Sequence, residues 1–381
     1  MLPNGRLSVA VTVQAADWPL ARLCAFAARH NPRRGFLFVS KVLAKHHPST
    51  PADMLAAHTA LAARLPDPDD RPALFIGMAE TATGLAQGVF EAYLARHGHG
   101  SALYVQTTRY PLSGATPLAF EEQHSHAQNL RLHLPDRADL RAAFLRARTL
   151  VLVDDELSTG RTFLALIAAY RNTGAPLQRV CAVALTDFMS DADRSRFHTE
   201  AGVPQVEVVS LLEGSFAFEP DPGFRAPPPA LAQATVGCRR DFIGDCSARL
   251  GTDQRLHLPP ALIDGLDAEL PTGRPILVLG TGEFMHPAFC LGQALAERGA
   301  DVRVQSTTRS PILLGADIHH RFELEDPYGE AVPNYLYNVD PRAYGAILLC
   351  GETPPSSALT HAARQLNAQV ITLRETAPPH P

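Results

Sequence analysis

Hydrophobic and polar positions along the chain form blocks that predict strands and helices in alternation. Short runs rich in consecutive apolar residues, typical of strands buried on both faces, occur at 72–78, 102–107, 149–154, 179–186 and 205–212. Helix-like segments separate most of these runs. The order predicts an α/β domain with a doubly wound parallel sheet, in which ligands bind beyond the carboxyl ends of the strands.

The N-terminal segment adds two predicted strands and a helix. Residues 7–13 and 35–41 are apolar enough to form strands. Between them, Asp17 fits a helix N-cap and Pro19 fits the first turn. We expect this helix to continue to Arg29.

A proline-rich stretch at 220–229 marks the expected end of this domain. Strand and helix patterns resume near residue 274. We therefore predict a first half at residues 1–222, a linker at 223–254 and a second α/β half at 255–381.

The candidate chemistry lies at the end of the predicted strand at 149–154. Two carboxylates, Asp154 and Asp155, precede a small, hydroxyl-rich turn, Ser158–Thr162, which opens a helix. A helix N-terminus offers backbone N–H groups to a phosphate, whereas the acids suit sugar hydroxyls. The run predicts a sugar-phosphate site; the simpler alternative is a strand followed by a helix capped by Ser158 or Thr159.

This run resembles the phosphoribosyl diphosphate (PRPP) loop of type I phosphoribosyltransferases, with Ser158 in place of the first threonine of the family pattern. The resemblance implies that Asp154 and Asp155 bind the ribose 2- and 3-hydroxyls. It also implies Mg²⁺ as cofactor, bound through PRPP, with no protein ligand to the metal assigned. The residues implied to wrap the 5-phosphate are Ser158, Thr159, Gly160, Arg161 and Thr162.

The same resemblance implies a pyrophosphate-binding loop that follows the strand at 72–78. Backbone amides there would face the diphosphate, often aided by a strained or cis peptide. The alternatives are a plain strand–helix connection for the loop and ordinary surface charges for the two cations. The residues assigned to pyrophosphate are Met78, Ala79, Glu80, Thr81, Arg109 and Lys41.

A long polar segment at 110–135 resembles the loop that closes over the active site in this superfamily. It contains the catalytic candidates Glu122, His124 and His126. Either histidine would protonate the leaving pyrophosphate or bind substrate. Solvated loop residues, or a metal site formed by these three side chains, are the alternatives.

The two halves share similar segments in the same order. Phe75–Glu80 resembles Val278–Glu283, and Tyr104–Arg109 resembles Arg303–Pro311. A duplicated domain and chance similarity between strand–helix units both explain this likeness.

A third pair of segments predicts a difference between the halves. Leu152–Glu156 would align with Leu348–Glu352, which puts Cys350-Gly351 where the first half has its acidic pair. We therefore expect the second half to be a related domain that lacks the PRPP loop.

The segment Thr308–Pro311 reads Thr-Arg-Ser-Pro, the signature of the TRSP domain. The chain is similar over nearly its full length to a two-domain family, a phosphoribosyltransferase followed by TRSP, that is associated with tellurium-resistance and stress-response gene clusters. Supporting stretches are Arg34–Leu43 and Phe120–Ala127.

Composition narrows the classes of function. A net charge of −5 over 381 residues gives no electrostatic footprint for nucleic acid. No apolar stretch approaches the roughly 18 residues of a membrane-spanning helix, and the N-terminus lacks a signal-peptide pattern. The scattered cysteines fit reduced core thiols, so we expect a cytoplasmic protein.

These observations predict a Mg²⁺-dependent enzyme that transfers ribose 5-phosphate from PRPP to a nitrogenous base or base-like acceptor, acting as a homodimer. A PRPP-binding regulator without catalysis and a PRPP-synthetase-like pyrophosphokinase are the alternatives. The second half could be a second active site, a lid or a dimerisation unit.

Overall fold

A computed structural model describes residues 1–29, 34–68, 72–118, 120, 130–225, 248–315, 317–353 and 356–373. The helices are α1 Leu20–Leu23, α2 Pro51–Ala62, α3 Thr83–His97, α4 Ala138–Arg146, α5 Arg161–Arg171, α6 Asp191–Glu200, α7 Pro260–Glu269, α8 His286–Glu297 and α9 Ser357–Leu366. Short 3₁₀ helices cover Ala248–Leu250 and Pro341–Ala343. Among these described residues, no helix combines the length and apolar character needed to cross a membrane.

The strands are β1 Gly5–Gln14, β2 Cys24–Ala28, β3 Phe36–Ser40, β4 Ala73–Gly77, β5 Ala102–Gln106, β6 Pro117–Leu118, β7 Leu132–His133, β8 Thr149–Val153, β9 Glu156–Leu157, β10 Arg179–Asp187, β11 Gln205–Pro220, β12 Ile276–Gly280, β13 Val302–Ser306, β14 Arg321–Leu324, β15 Asn334–Tyr337, β16 Ala346–Gly351 and β17 Gln369–Thr372.

The first half is built on a seven-stranded sheet with the order β1-β11-β10-β8-β4-β5, and β9 pairs with β10. Every pair is parallel except the edge pair β1 and β11. Strands β4, β5 and β8 are buried at every position because the sheet is covered on both faces. The predicted doubly wound α/β fold is confirmed.

The second half contains a four-stranded parallel sheet, ordered β13-β12-β16-β17. A second α/β unit, as predicted, therefore follows the first. The boundaries drawn at residues 222 and 255 stay a prediction.

The predicted helix from Asp17 to Arg29 is wrong. Helix α1 ends at Leu23, and the chain continues as β2, antiparallel to β3. Small apolar residues of β2, including Ala25 and Ala27, pack with Ile312 of the second half. This tertiary contact outweighs the helix propensity of the alanine-rich segment.

The two sheets support the duplication in strand order and register. The order β5-β4-β8-β10 in the first half corresponds to β13-β12-β16-β17 in the second. Gly77 pairs with Gln106, and Gly280 pairs with Ser306. These are the positions that the sequence comparison aligned.

Hydrogen bonds at the strand ends repeat in the same way. The Oγ1 atom of Thr107 accepts from the Ala79 N–H at 2.8 Å, and that of Thr307 accepts from the Gly282 N–H at 2.9 Å. One residue further on, Thr108 and Thr308 each accept a backbone N–H from two residues ahead. Common ancestry explains this agreement better than chance.

The third aligned pair needs a one-residue correction. Gly77 lies opposite Val153, whereas Leu279 lies opposite Leu349, so Gly280 falls opposite Cys350. The structural counterpart of Asp155 is therefore Glu352, not Gly351. The second half keeps one carboxylate at this position.

Candidate active site

A cavity of about 480 Å³ lies beyond the carboxyl ends of β4 and β8. Its walls include the acids after β8, the whole turn at 158–162 and the end of the loop after β4. Thr308–Pro311, from the second half, lines the same cavity. Its size is within the usual range for small-molecule sites, which is about 300–1,000 Å³.

Two carboxylates stand side by side at the cavity, as the sequence predicted. Asp154 and Asp155 follow the last residue of β8, and both are half-buried. The Asp155 N–H donates to Oδ1 of Asp154 at 2.9 Å. Burial raises the pKa of Asp154 well above its usual value, and the neighbouring charge of Asp155 raises it further.

The acidic cluster extends to Glu156, which sequence analysis did not assign. Burial raises the pKa of Glu156, although the nearby Arg34 guanidinium opposes the shift. Arg34 forms an ion pair with Glu156. Arg29 and Arg34 also line the cavity, so cations approach the acidic cluster from the β2–β3 side.

The turn at 158–162 is shaped by a left-handed glycine. Gly160 has a φ of 68° and immediately precedes α5. A Cβ atom added there would lie 2.7 Å from Cδ2 of Phe197, on α6. Arg196, also on α6, donates to the Thr159 carbonyl at 3.0 Å. Helix α6 therefore fixes a turn that presents the first turn of α5 to the cavity.

The loop after β4 contributes fewer groups than we predicted. The peptide between Ala79 and Glu80 is cis. The N–H groups of Met78 and Ala79 are already used, donating to the Val153 carbonyl and to Thr107 Oγ1. Of the four predicted pyrophosphate contacts in this loop, Glu80 and Thr81 line the cavity.

Glu80 is buried in an ion pair with Lys45, with Oε1 and Nζ 2.8 Å apart. Burial alone would raise the pKa of Glu80, but the positive charges of Lys45 and Arg109 outweigh it and lower the pKa to about 2. Glu80 is therefore a carboxylate at neutral pH.

The two predicted cations have different positions. Arg109 lines the cavity, as expected. Lys41 is not among the lining residues, and its Nζ donates to the Ala21 carbonyl at 3.0 Å because the side chain turns back towards α1. The catalytic candidates Glu122, His124 and His126 lie outside the described residues.

The contribution of Thr308–Pro311 was missed by sequence analysis. Arg309 and Ser310 belong to the second half, yet both line the first-half cavity. No periodicity or motif signals this, since it depends on how the halves pack.

Among the residues that the structure describes, two sets of side chains offer metal ligands. Asp154 and Asp155 present carboxylate oxygens in the same cavity as the turn at 158–162. One or two carboxylates of this kind suit Mg²⁺, which takes its remaining ligands from phosphates and water. Separately, ligand atoms of Glu91, His286 and Cys290 lie within 4.8 Å of one another. There the His286 Nε2 and Glu91 Oε1 atoms are 2.7 Å apart, the geometry of a buried hydrogen-bonded pair.

Comparison with known proteins identifies both halves. A family described as phosphoribosyl transferase matches residues 23–215, and the TRSP domain, described as C-terminal to it, matches residues 249–368.

Similar solved structures include an adenine phosphoribosyl transferase from Trypanosoma brucei, with 14% identity, a TM-score of 0.32, and coverage of 53% of this chain and 87% of that one. An orotate phosphoribosyltransferase from Mycobacterium tuberculosis has 14% identity and a TM-score of 0.29, covering 51% of this chain and 90% of that one.

One curated protein is similar over a shorter stretch. The putative toluene-4-sulfonate monooxygenase system reductase subunit TsaB2 of Comamonas testosteroni is 28% identical over 151 residues. The match covers 35% of this chain and 47% of that protein, so the chain spans about half the length of this relative.

Proposed function

The chain belongs to the phosphoribosyl transferase family, and on this premise we propose that it transfers ribose 5-phosphate from PRPP to a nitrogenous base or base-like acceptor. Pyrophosphate is the second product. The observation that carries the proposal is one cavity lined by both Asp154-Asp155 and the turn at 158–162. The first suits a ribose diol and the second suits a phosphate.

In the proposed reaction, the acceptor nitrogen bonds to C1 of the ribose as the C1–O bond to diphosphate breaks. Attack from the opposite face inverts C1, and the acceptor nitrogen loses its proton to a base or to water. Asp154 and Asp155 hold the ribose hydroxyls, and the turn at 158–162 holds the 5-phosphate. The substrate is thereby fixed while positive charge develops on the sugar.

Arg109 and Thr81, which line the cavity, would face the diphosphate. The planar guanidinium of Arg109 offers a fork of N–H donors that matches phosphate oxygens. Mg²⁺ bound to PRPP would neutralise part of the diphosphate charge, and Asp154 and Asp155, which line the cavity, offer carboxylates suited to hold it directly or through water.

Pyrophosphate release tests the proposal. The protein is incubated with PRPP, Mg²⁺ and a panel of purine, pyrimidine and related bases, and the reaction is repeated with EDTA. We expect release that depends on one class of base and on Mg²⁺. The Asp154→Asn/Asp155→Asn variant should lose at least about 100-fold in rate, since both diol contacts are removed.

Asp267→Asn is the matched control, because Asp267 is exposed on α7, far along the chain from the cavity residues. PRPP binding without turnover on any base would instead support a regulator that senses PRPP. AMP release from ATP and ribose 5-phosphate would support a pyrophosphokinase.

Three further assignments stay predictions: the association with tellurium-resistance clusters, the division at residues 222 and 255, and the homodimer. The roles of Glu122, His124 and His126 belong to the same group. Lys41 is not part of the proposed site.

A further inference from the structure

Two equivalent carboxylates reach across the boundary between the halves. Glu283 of the second half accepts the Arg109 N–H and the Thr108 hydroxyl, each at 2.7 Å. Glu80, its counterpart in the first half, accepts the Arg309 N–H at 3.3 Å. Each half therefore fixes the backbone of the other half's arginine.

A buried cation stabilises each of these carboxylates. Lys45 pairs with Glu80 and also donates to the Gly282 carbonyl at 2.7 Å. Arg249, on the 3₁₀ helix Ala248–Leu250, donates from Nε to Glu283 at 3.0 Å. Unpaired, either carboxylate would be costly to bury, so the interface is built as two charge-compensated contacts.

The ends of β8 and β16 differ in what lies beside their carboxylates. Arg249 also binds Glu352, the counterpart of Asp155, through both terminal nitrogens, at 2.8 and 3.0 Å. The Tyr328 hydroxyl donates to the same carboxylate at 2.7 Å. The chain itself thus fills the second-half position, whereas Asp155 faces an open cavity.

Arg309 is held at that open cavity with hydrogen-bonding capacity to spare. Its side chain is 9% exposed, and Nη1 lies 2.8 Å from Glu330 Oε2. The guanidinium carbon lies 4.9 Å from the ring centroid of Tyr110. Within the described part of the chain, the Nε and Nη2 atoms are buried without a hydrogen-bond partner, and Asp326 lies 3.8 Å from Nη2.

We propose that the second half is a built-in partner for the first-half site, in which Arg309 donates to the diphosphate of PRPP opposite Arg109. One chain then supplies both walls of one site. A preorganised guanidinium with buried, unpartnered N–H groups, lining the same cavity as the turn at 158–162, suits a bidentate phosphate contact once the ligand draws the side chain towards it. The inference rests on the proposed function, since it assumes PRPP as the ligand.

Isothermal titration of the full-length protein with three ligands tests this assignment. Arg309→Ala should raise the Kd for PRPP and for inorganic pyrophosphate at least tenfold. The Kd for ribose 5-phosphate, which lacks the diphosphate, should change by less than about twofold, which equals about 0.4 kcal/mol. Arg342→Ala, at an exposed arginine of the same half, is the control that should leave all three values unchanged.

Arg309→Lys keeps the charge but loses the fork, so we expect a smaller rise for pyrophosphate. If Arg309→Ala does not fold, Arg309→Lys is the variant that tests the proposal. A wild-type affinity for pyrophosphate in Arg309→Lys would then overturn the contact between Arg309 and the diphosphate. Wild-type protein that binds PRPP, with Arg309→Ala binding it equally well, would overturn this inference alone. Wild-type protein that does not bind PRPP would overturn the proposed function as well.

Discussion

At the scale of single residues, Asp154 and Asp155 occupy surroundings that disfavour the charged form of their carboxyl groups. Asp154 and Asp155 are half-buried next to each other, and burial raises the pKa of both. A raised carboxyl pKa means that the folded state favours the protonated form. Stability from this source is present at low pH and is lost as the pH rises through the folded-state pKa. The two adjacent carboxyl groups at the cavity therefore lower the stability of the fold at neutral pH.

Replacing Asp154 by asparagine should make the protein more stable while it loses activity. Because the penalty exists only for the ionised group, the gain in unfolding free energy should be larger at about pH 7 than at about pH 4.5. Urea unfolding of wild type and Asp154→Asn at both values measures it. We expect a gain of about 1 kcal/mol or more at the higher pH.

Asp267→Asn, on the exposed face of α7, should show no comparable gain at either pH. An equal gain in unfolding free energy for Asp154→Asn at both pH values would show that the ionised Asp154 carboxylate does not destabilise the fold.

At the scale of elements, the sequence predicts the turn at 158–162 before α5 but not the β2–β3 hairpin. Strand β8, its two acids and the turn before α5 are local features, readable from neighbouring residues. The hairpin forms because Ala25 and Ala27 meet Ile312, which is almost 300 positions away. Likewise, no local sequence pattern predicts that the Met78 N–H donates to β8 and the Ala79 N–H to Thr107.

Gly160 tests how far the turn depends on its backbone. An alanine there must adopt a φ of 68° and place its Cβ 2.7 Å from Phe197. We expect Gly160→Ala to raise the Kd for PRPP at least tenfold, because α6 or the turn must shift. Titration with PRPP measures this effect, and urea unfolding measures the accompanying loss of stability.

Gly174→Ala separates the two causes. Gly174 has a φ of 82°, but a Cβ atom there meets nothing within 4 Å. This variant should lose about 1 kcal/mol of stability from backbone strain alone and bind PRPP normally. If Gly160→Ala also bound PRPP normally, the contact with Phe197 would not be what shapes the turn.

At the scale of the whole molecule, the sequence predicts the duplication but not how the two halves pack against each other. Matching segments predicted two related halves, and strand order and register agree with that hypothesis. How the halves face each other depends on contacts such as Glu283 with Arg109, which no sequence pattern encodes. For the same reason, the sequence does not show that Arg309 lines the first-half cavity.

The packing predicts that one chain binds one molecule of PRPP. In the second half, Arg249 occupies the position beside Glu352, whereas the equivalent position beside Asp155 in the first half is an open cavity. We therefore expect no sugar phosphate to bind at the end of β16. Isothermal titration of wild type should give one PRPP per chain, and Asp154→Asn/Asp155→Asn should remove that single binding event. Two events per wild-type chain, or one that persists in the double variant, would show that the second half has a ligand site of its own. In that case the halves would act as two sites in parallel, and Arg309 would belong to the second.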